Sequence, residues 1–205
     1  MFMDDPLNIV ISGVGGQGNV IASHILALAC VKEGLHVSVG ETYGASQRGG
    51  SVESHVRLSK AKQYGSLIPK GLAHIILGFE PVECLRAVGS YGNRNTRVII
   101  NPRPIYPIDV LSGISTYPEV EDVLKALKDL TQSVYVIEAT KIAQKIGKAV
   151  MQNVVMIGCL AGSEFTPVMS DTLIDMIKEV FGGKSKENLE AFSVGLREIK
   201  HIEPL

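Results

Sequence analysis

Short apolar runs alternate with longer amphipathic stretches through the first two-thirds of the chain. The apolar runs have the length and β-branched content of buried strands, and they occupy residues 7–12, 35–40, 51–58, 73–78, 97–100 and 133–137. Segments with helical spacing separate several of them, at 17–33, after Pro81 and at 119–130. Because strands that alternate with helices build a sheet covered on both faces, the pattern predicts a three-layer α/β/α, Rossmann-like sandwich with a mostly parallel sheet.

The last third of the chain has helical spacing and no predicted strand after residue 137. Its helices are predicted at 139–146, 150–161, 171–181 and 187–199. We expect this helical C-terminal third to pack on the sheet. Residues 105–117 carry several turn-forming residues and are predicted to be irregular. Because the sequence shows neither a repeat nor a linker, residues 1–205 are predicted to form a single domain.

The composition of the chain argues against several classes of function. The chain has 205 residues with 20 basic and 21 acidic side chains, a formal net charge of -1, so it lacks the basic excess of a duplex nucleic-acid binder. No stretch approaches the roughly 18 apolar residues of a membrane span, and the N-terminus lacks the basic and apolar regions of a signal peptide. We therefore expect a cytoplasmic protein with neither nucleic acid nor membrane as a partner.

The three cysteines, Cys30, Cys84 and Cys159, lie far apart in apolar helical patterns. An odd number without CxxC spacing argues against a disulfide framework, a zinc site and an iron–sulfur cluster. His55 and His74 have no second ligand at metal spacing, so no metal site is expected. Buried free thiols agree with a reducing compartment.

A first glycine-rich loop, GVGGQG, follows the first predicted strand and precedes a helix, which is the context of the G-x-G-x-x-G dinucleotide fingerprint. Glycines let the backbone approach a bound group, and the following helix directs free N–H groups at an anion. The candidate binding residues of this loop are Gly13, Gly15, Gly16 and Gly18. The glycines could instead serve tight strand–helix packing, especially at Gly18.

A second glycine-rich segment, from Gly40 to Val52, is longer than a plain connection between two strands requires. Long irregular loops in compact domains are often functional, and an arginine there suits phosphate or carboxylate. The candidate residues of this segment are Ser46, Gln47, Arg48, Gly49 and Gly50. Because ligands of open α/β sheets bind at the carboxyl ends of the strands, we expect the two loops to meet at that edge.

The two loops together resemble a known family. GVGGQG after the first strand and YGASQRGGSV after the second are similar to the gamma domain of the pyruvate/2-oxoacid:ferredoxin oxidoreductases. The similarity extends over nearly the whole chain, through Val10–Ser12, Ile76–Pro81, Asn153–Gly158, and Asn188–Phe192 with Gly195. A free-standing chain of this length is most similar to the small, beta subunit of the indolepyruvate branch.

The resemblance implies a reaction in which a 2-oxoacid, an indolepyruvate or arylpyruvate in this branch, reacts with coenzyme A and oxidised ferredoxin. The products are an acyl-coenzyme A, carbon dioxide and reduced ferredoxin. Thiamine diphosphate and iron–sulfur clusters are implied on a large alpha subunit, through which ferredoxin would be reached. The chain would carry no catalytic residue and no cofactor of its own. It would help enclose the active site and contact coenzyme A.

Three functions remain open from the residues alone. In the first, the loops form an edge that contacts coenzyme A and completes a partner's active site. In the second, the chain is a stand-alone NAD(P)-binding Rossmann protein, with Glu41 near the position of the ribose-binding acid. The chain lacks a second, catalytic domain for that role. In the third, both loops only dock the partner subunit.

Overall fold

The computed structural model describes residues 4–44 and 50–205, which form one six-stranded mixed sheet with helices on both faces. The order across the sheet is β2-β3-β1-β4-β5-β6, and β3 alone runs against the direction of the other strands. The predicted strands are all present, as β1 (Leu7–Val14), β2 (His36–Tyr43), β3 (Ser51–Ser59), β4 (Ile75–Gly78), β5 (Arg97–Ile100) and β6 (Ser133–Val136).

The predicted helices are present as well. The α-helices in the described ranges, of which α3 was not predicted, are α1 (Asn19–Lys32), α2 (Pro81–Tyr91), α3 (Ile108–Leu111), α4 (Val120–Leu130), α5 (Ala139–Ile146), α6 (Gln152–Gly162), α7 (Ser170–Phe181) and α8 (Ser185–Glu198). Several boundaries shift by one or two residues, and two differences are larger. β2 continues to Tyr43, because residues 41–43 pair with β3 instead of starting a loop. The segment predicted to be irregular contains the single helical turn α3.

Two apolar cores lie on opposite faces of the sheet. Helices α1, α5, α6, α7 and α8 cover one face, and α2 and α4 cover the other. Helix α6 is enclosed, since residues 152–160 are all buried, and α8 packs on its outer side. This burial explains the continuous apolar character of α6, which a helix at the surface would not have.

The connections after β1 and β4 leave the sheet in opposite directions. β1 leads into α1 on one face, whereas the neighbouring parallel strand β4 leads into α2 on the other. Open α/β sheets commonly bind ligands in the crevice at such a point. Within the described part of the chain, no helix is long and apolar enough to cross a bilayer.

Candidate functional site

The first glycine loop begins while β1 is still paired with β3. Gly13 lies opposite Val52 in the antiparallel register. Beyond the strand, the Gly15 N–H donates to the backbone oxygen of Gly50 at 2.9 Å. The first glycine loop and the end of the second glycine-rich segment are therefore in direct contact at the carboxyl end of β1.

The second segment is fixed at both of its described ends. The Gly44 N–H, directly after β2, donates to the backbone oxygen of Ser51 at 2.8 Å. Gly50 contacts Gly15 on the other side. Four predicted site residues lie outside the described residues and stay predictions: Ser46, Gln47, Arg48 and Gly49.

A cavity of about 520 Å³, called here the rim cavity, opens where these segments meet. Its walls come from the first glycine loop, the start of α1, the ends of β2 and β3, and the connection before α6. The lining residues are Val14, Gly15, Gly16, Gly18, Asn19, Val20, Ile21, Tyr43, Gly44, Val52 and Val150. None of these described residues is charged, so their surface suits the apolar part of a ligand.

The four glycines of the first loop have different surroundings. A Cβ on Gly13 would lie 2.6 Å from Gln17 Oε1, so this buried glycine makes room for a neighbouring side chain and does not line the cavity. Gly18 has a φ of 85°, and a Cβ there would lie 2.3 Å from Asn153 Nδ2. Tight packing therefore explains Gly13 and Gly18. Gly16, with a φ of 102°, is exposed and has no atom within 4 Å of an added Cβ.

Gln17 is a residue of this site that the sequence reasoning missed. Its Oε1 accepts from the Val14 N–H at 2.7 Å, and its Nε2 donates to the Phe79 backbone oxygen at 2.8 Å. The side chain is buried and joins the end of β1 to the end of β4. The G-x-G-x-x-G fingerprint allows any residue at this position. Nothing in the neighbouring sequence indicates that the Gln17 side chain is buried.

The position of Gln17 argues against a bound dinucleotide. The crevice between β1 and β4 is where a Rossmann protein would place the pyrophosphate, and the Gln17 amide bridges it. Glu41 is also unsuited to hold a ribose, because it lies within β2 and accepts a hydrogen bond from the Tyr43 hydroxyl. Its other oxygen lies 3.8 Å from His24 Nε2. Glu41 does not line the rim cavity.

The start of α1 supplies the polar character of the rim cavity. Gly18 occupies the N-cap position without a side chain, and the first turn contains no acidic residue. The first N–H groups of a helix have no acceptor within the helix and carry partial positive charge. Asn19 donates to the Val52 backbone oxygen at 2.9 Å, while its Oδ1 is buried without a partner. The cavity can therefore combine apolar walls with a few polar groups.

None of the three cysteines is among the described residues that line the rim cavity. Burial raises the pKa of Cys30 to about 12 and also raises the pKa values of Cys84 and Cys159. All three cysteines are buried and free, as predicted. In residues 4–44 and 50–205, no group of three His, Cys, Asp or Glu side chains could hold a metal ion.

A buried carboxyl group lies on the other side of the Gln17 bridge. Glu80 caps α2 by accepting from the Glu83 N–H at 2.9 Å, and it also accepts from the Ile105 N–H at 3.2 Å and from the Tyr117 hydroxyl. Burial raises the pKa of Glu80, although these hydrogen bonds oppose the shift. Burial and the Glu80 carboxyl together raise the pKa of Tyr117. The pair fixes residues 105–117 to the end of β4 and does not face the rim cavity.

The chain is similar to known proteins in both sequence and structure. The sequence family described as pyruvate ferredoxin/flavodoxin oxidoreductase matches residues 8–198. The indolepyruvate oxidoreductase subunit IorB of Archaeoglobus fulgidus is 40% identical over 190 residues, covering 92% of this chain and 93% of the relative. The protein of the same name from Thermococcus kodakarensis is 38% identical, covering 95% and 96%.

Among solved structures, this chain resembles the 2-oxoglutarate:ferredoxin oxidoreductase of Magnetococcus marinus, solved with 2-oxoglutarate, coenzyme A and succinyl-CoA bound. The TM-score is 0.74 at 23% identity, and the match covers 98% of this chain but 32% of that one. The structural likeness supports the fold, and the sequence match supports the family. The chain belongs to the pyruvate ferredoxin/flavodoxin oxidoreductase family.

Proposed function

We propose that this chain is the non-catalytic small subunit of a ferredoxin-dependent 2-oxoacid oxidoreductase acting on indolepyruvate or related arylpyruvates. Its partner would be a large alpha subunit that carries thiamine diphosphate and iron–sulfur clusters and reduces ferredoxin. The two IorB relatives, similar in length to this chain, support the subunit type. Residues 1–205 would form one gamma-type domain, in line with the family match over residues 8–198.

The observation that carries the proposal is the backbone contact between Gly15 and Gly50 at 2.9 Å. It joins the two glycine-rich segments of the family resemblance into one edge, beside a cavity whose described lining has no charged side chain. Among the described lining residues, only Tyr43 has a titratable side chain, and its hydroxyl donates to Glu41. Such an edge suits a ligand whose reaction takes place on another chain.

Coenzyme A is the ligand that we propose for this edge. Its pantetheine arm has apolar segments and amides, which suit the apolar walls and the polar start of α1. Its phosphates would need a cationic partner, and Arg48 is the candidate because its guanidinium suits phosphate. Gly15, Gly16, Gly18 and Gly50, with Ser46, Gln47, Arg48 and Gly49, remain the proposed contact set, whereas Gly13 is buried beside Gln17 and is no longer part of it.

Reconstitution with the large subunit tests this function. The complex should form acyl-coenzyme A and reduce ferredoxin with an arylpyruvate, and neither chain should do so alone. We expect Arg48→Ala to raise the KM for coenzyme A about tenfold, the loss of one charge-assisted contact. Arg197→Ala, on the exposed side of α8, is the matched control and should leave this KM unchanged.

The alternatives predict different results in the same experiment. If Arg48→Ala abolishes assembly without changing coenzyme A affinity, the loops only dock the partner. If Arg48→Ala changes neither the assembly of the complex nor its affinity for coenzyme A, Arg48 has no part in the edge. Binding of NADH by the isolated chain, seen as a change in cofactor fluorescence below millimolar concentration, would favour the Rossmann alternative instead.

We also infer a reducing, cytoplasmic location. The support is the state of Cys30, Cys84 and Cys159, which are all buried and free. Oxidising compartments favour paired cysteines. Recovery of the oxidoreductase from a cytosolic fraction, with all three thiols titratable after unfolding, is the expected result.

A further inference from the structure

The connection between β5 and α4 exposes an unusual amount of apolar surface. Ile108, Leu111 and Ile114 are 78%, 71% and 78% exposed, the highest values among the large apolar side chains described as exposed. Helix α3, which carries the first two, has no buried residue. Isolated apolar side chains are ordinary at protein surfaces, whereas contiguous exposed apolar surface is typical of interaction sites.

Backbone groups at the tip of this connection form hydrogen bonds with one another. The Ser112 N–H donates to the Ile108 oxygen at 2.8 Å, and the Ile114 N–H donates to the Asp109 oxygen at 2.8 Å. Gly113, with a φ of 76°, allows the chain to reverse after the turn. Since these backbone bonds are closed within the tip, its apolar side chains can project outward without a core to hold them.

The base of the connection is fixed to the sheet. Glu80, buried at the end of β4, accepts from the Ile105 N–H at one end of the segment and from the Tyr117 hydroxyl at the other. The rings of Tyr106 and Tyr117 meet edge to face, with centroids 5.2 Å apart. A projecting element that is ordered before binding loses less conformational freedom on association.

We propose that the turn formed by residues 107–115 is an anchor that inserts Ile108, Leu111 and Ile114 into a concave apolar surface of the large subunit. The inference rests on the proposed function, because it takes the large subunit as the occupant. Asp109 is the one charged residue between 104 and 118, so the contact is apolar and not an ion-pair interface. Apolar residues buried at the centre of an interface supply much of its affinity.

A second copy of this chain fits the turn less well. In a two-fold dimer the same surface meets itself, and a convex turn needs an apolar hollow beside it. The adjacent hollow, of about 540 Å³, has charged residues in its lining: Arg103, Glu121, Glu138 and Lys141. The rim cavity is more apolar, but it lies over β1, β2 and β3, whereas the turn follows β5. Placing the turn in that cavity of another copy would join unlike surfaces and favour open chains of molecules.

The turn also lies at the same edge of the sheet as the glycine loops. It follows the carboxyl end of β5, and the glycine loop follows the carboxyl end of the parallel strand β1. One large subunit could therefore contact both regions along this edge. The turn would provide affinity, while the rim would provide contacts near the reaction.

The test compares two triple variants of the full chain for binding to the purified large subunit. Ile108→Ser/Leu111→Ser/Ile114→Ser removes the apolar tip. Leu67→Ser/Leu72→Ser/Met169→Ser removes three half-exposed apolar side chains from elsewhere on the surface. We expect the tip variant to bind at least about 100-fold more weakly and the control to stay within about threefold of the wild type. All three proteins should retain a single cooperative unfolding transition in urea, which shows that both variants fold.

Each outcome decides between the possibilities. If the wild type assembles and the tip variant binds within threefold of it, the anchor is wrong while the proposed function stands. If the wild type itself neither binds the large subunit nor supports oxoacid-dependent ferredoxin reduction, the proposed function fails and the anchor with it. If light scattering shows a dimer of the isolated chain that the tip variant abolishes, the occupant is a second copy and the proposal is overturned.

Discussion

A Cβ added to Gly158, where α6 meets α8, would lie 2.2 Å from the Phe192 oxygen. A Cβ added to Gly195, in the same helix contact, would lie 2.1 Å from the Val155 oxygen. A Cβ added to Gly16, at the rim cavity, would meet nothing within 4 Å. All three glycines belong to segments that resemble the same family. Two of them are required by the packing of backbones against each other, whereas Gly16 is required locally only by its φ of 102°.

The difference shows that a glycine in a family motif is not by itself a sign of a ligand. Gly18 combines the two situations, because it lines the rim cavity and also packs against Asn153 of α6. The α6–α8 region should therefore respond to substitution through stability, and the open part of the rim through binding. Measurements of both quantities on the same variants separate the two uses.

The largest expected effect is at the helix pair. We expect Gly195→Ala to lower the free energy of unfolding by about 3 kcal/mol or more, because the new methyl group overlaps a backbone oxygen that cannot move independently of α6. Urea unfolding followed by circular dichroism measures this change.

Gly89 provides the matched control within another helix. It lies in α2, is exposed, and has no atom within 4 Å of an added Cβ. Gly89→Ala should stabilise the protein by about 0.5–1 kcal/mol, the usual gain in helix propensity. If Gly195→Ala were also neutral or stabilising, the helices would not be in close backbone contact.

The next effect is at Gly18, where strain and packing combine. We expect Gly18→Ala to cost about 2 kcal/mol, partly from the positive φ and partly from contact with Asn153. In the double variant, Asn153→Ala should recover about 1 kcal/mol, since it removes the colliding amide. Additive effects in this double-mutant cycle would mean that the backbone conformation alone makes Gly18 necessary.

A smaller loss is expected at Gln17, which separates the rim from the end of β4. Gln17→Ala removes two hydrogen bonds and leaves the buried Val14 N–H without its acceptor, a cost of about 1.5 kcal/mol. Gln144→Ala, at an exposed glutamine of α5, should change stability by less than about 0.5 kcal/mol. Equal stability of the two variants would show that water replaces the bridge.

The strands and helices could be predicted because their signals are local. The period of two in β3 and the spacing of apolar residues in α4 are visible in a single stretch of sequence. The end of β2 could not be placed, because residues 41–43 are held by pairing to β3 and not by their own composition. α3 was not predicted because none of its residues is buried, so its sequence lacks the apolar periodicity of a helix that packs on a core.

The sequence predicted where the candidate site lies. It did not predict which of its residues serve packing and which line the cavity. The motif context indicated that the first glycine loop ends a strand, and Gly15 does contact Gly50 at the edge of the sheet. The separate roles of Gly13 and Gly16 depend on Gln17 and on φ angles, which no sequence pattern encodes. Asn19, with its unpaired Oδ1, was missed because burial of a polar residue is a property of the assembled loop.

The smallest expected change in stability belongs to Gly16, and it gives the sharpest test of the open rim. Gly16 and Gly34 are both exposed, both have positive φ (102° and 81°), and neither has an atom within 4 Å of an added Cβ. Gly34 follows α1, at the far end of that helix from the rim. Alanine at either position should therefore cost about 1 kcal/mol from backbone strain alone. In the reconstituted complex, Gly16→Ala should raise the KM for coenzyme A severalfold, whereas Gly34→Ala should not. If both variants lose the same stability and leave the KM unchanged, Gly16 serves only the turn, and the rim would have to bind through other residues.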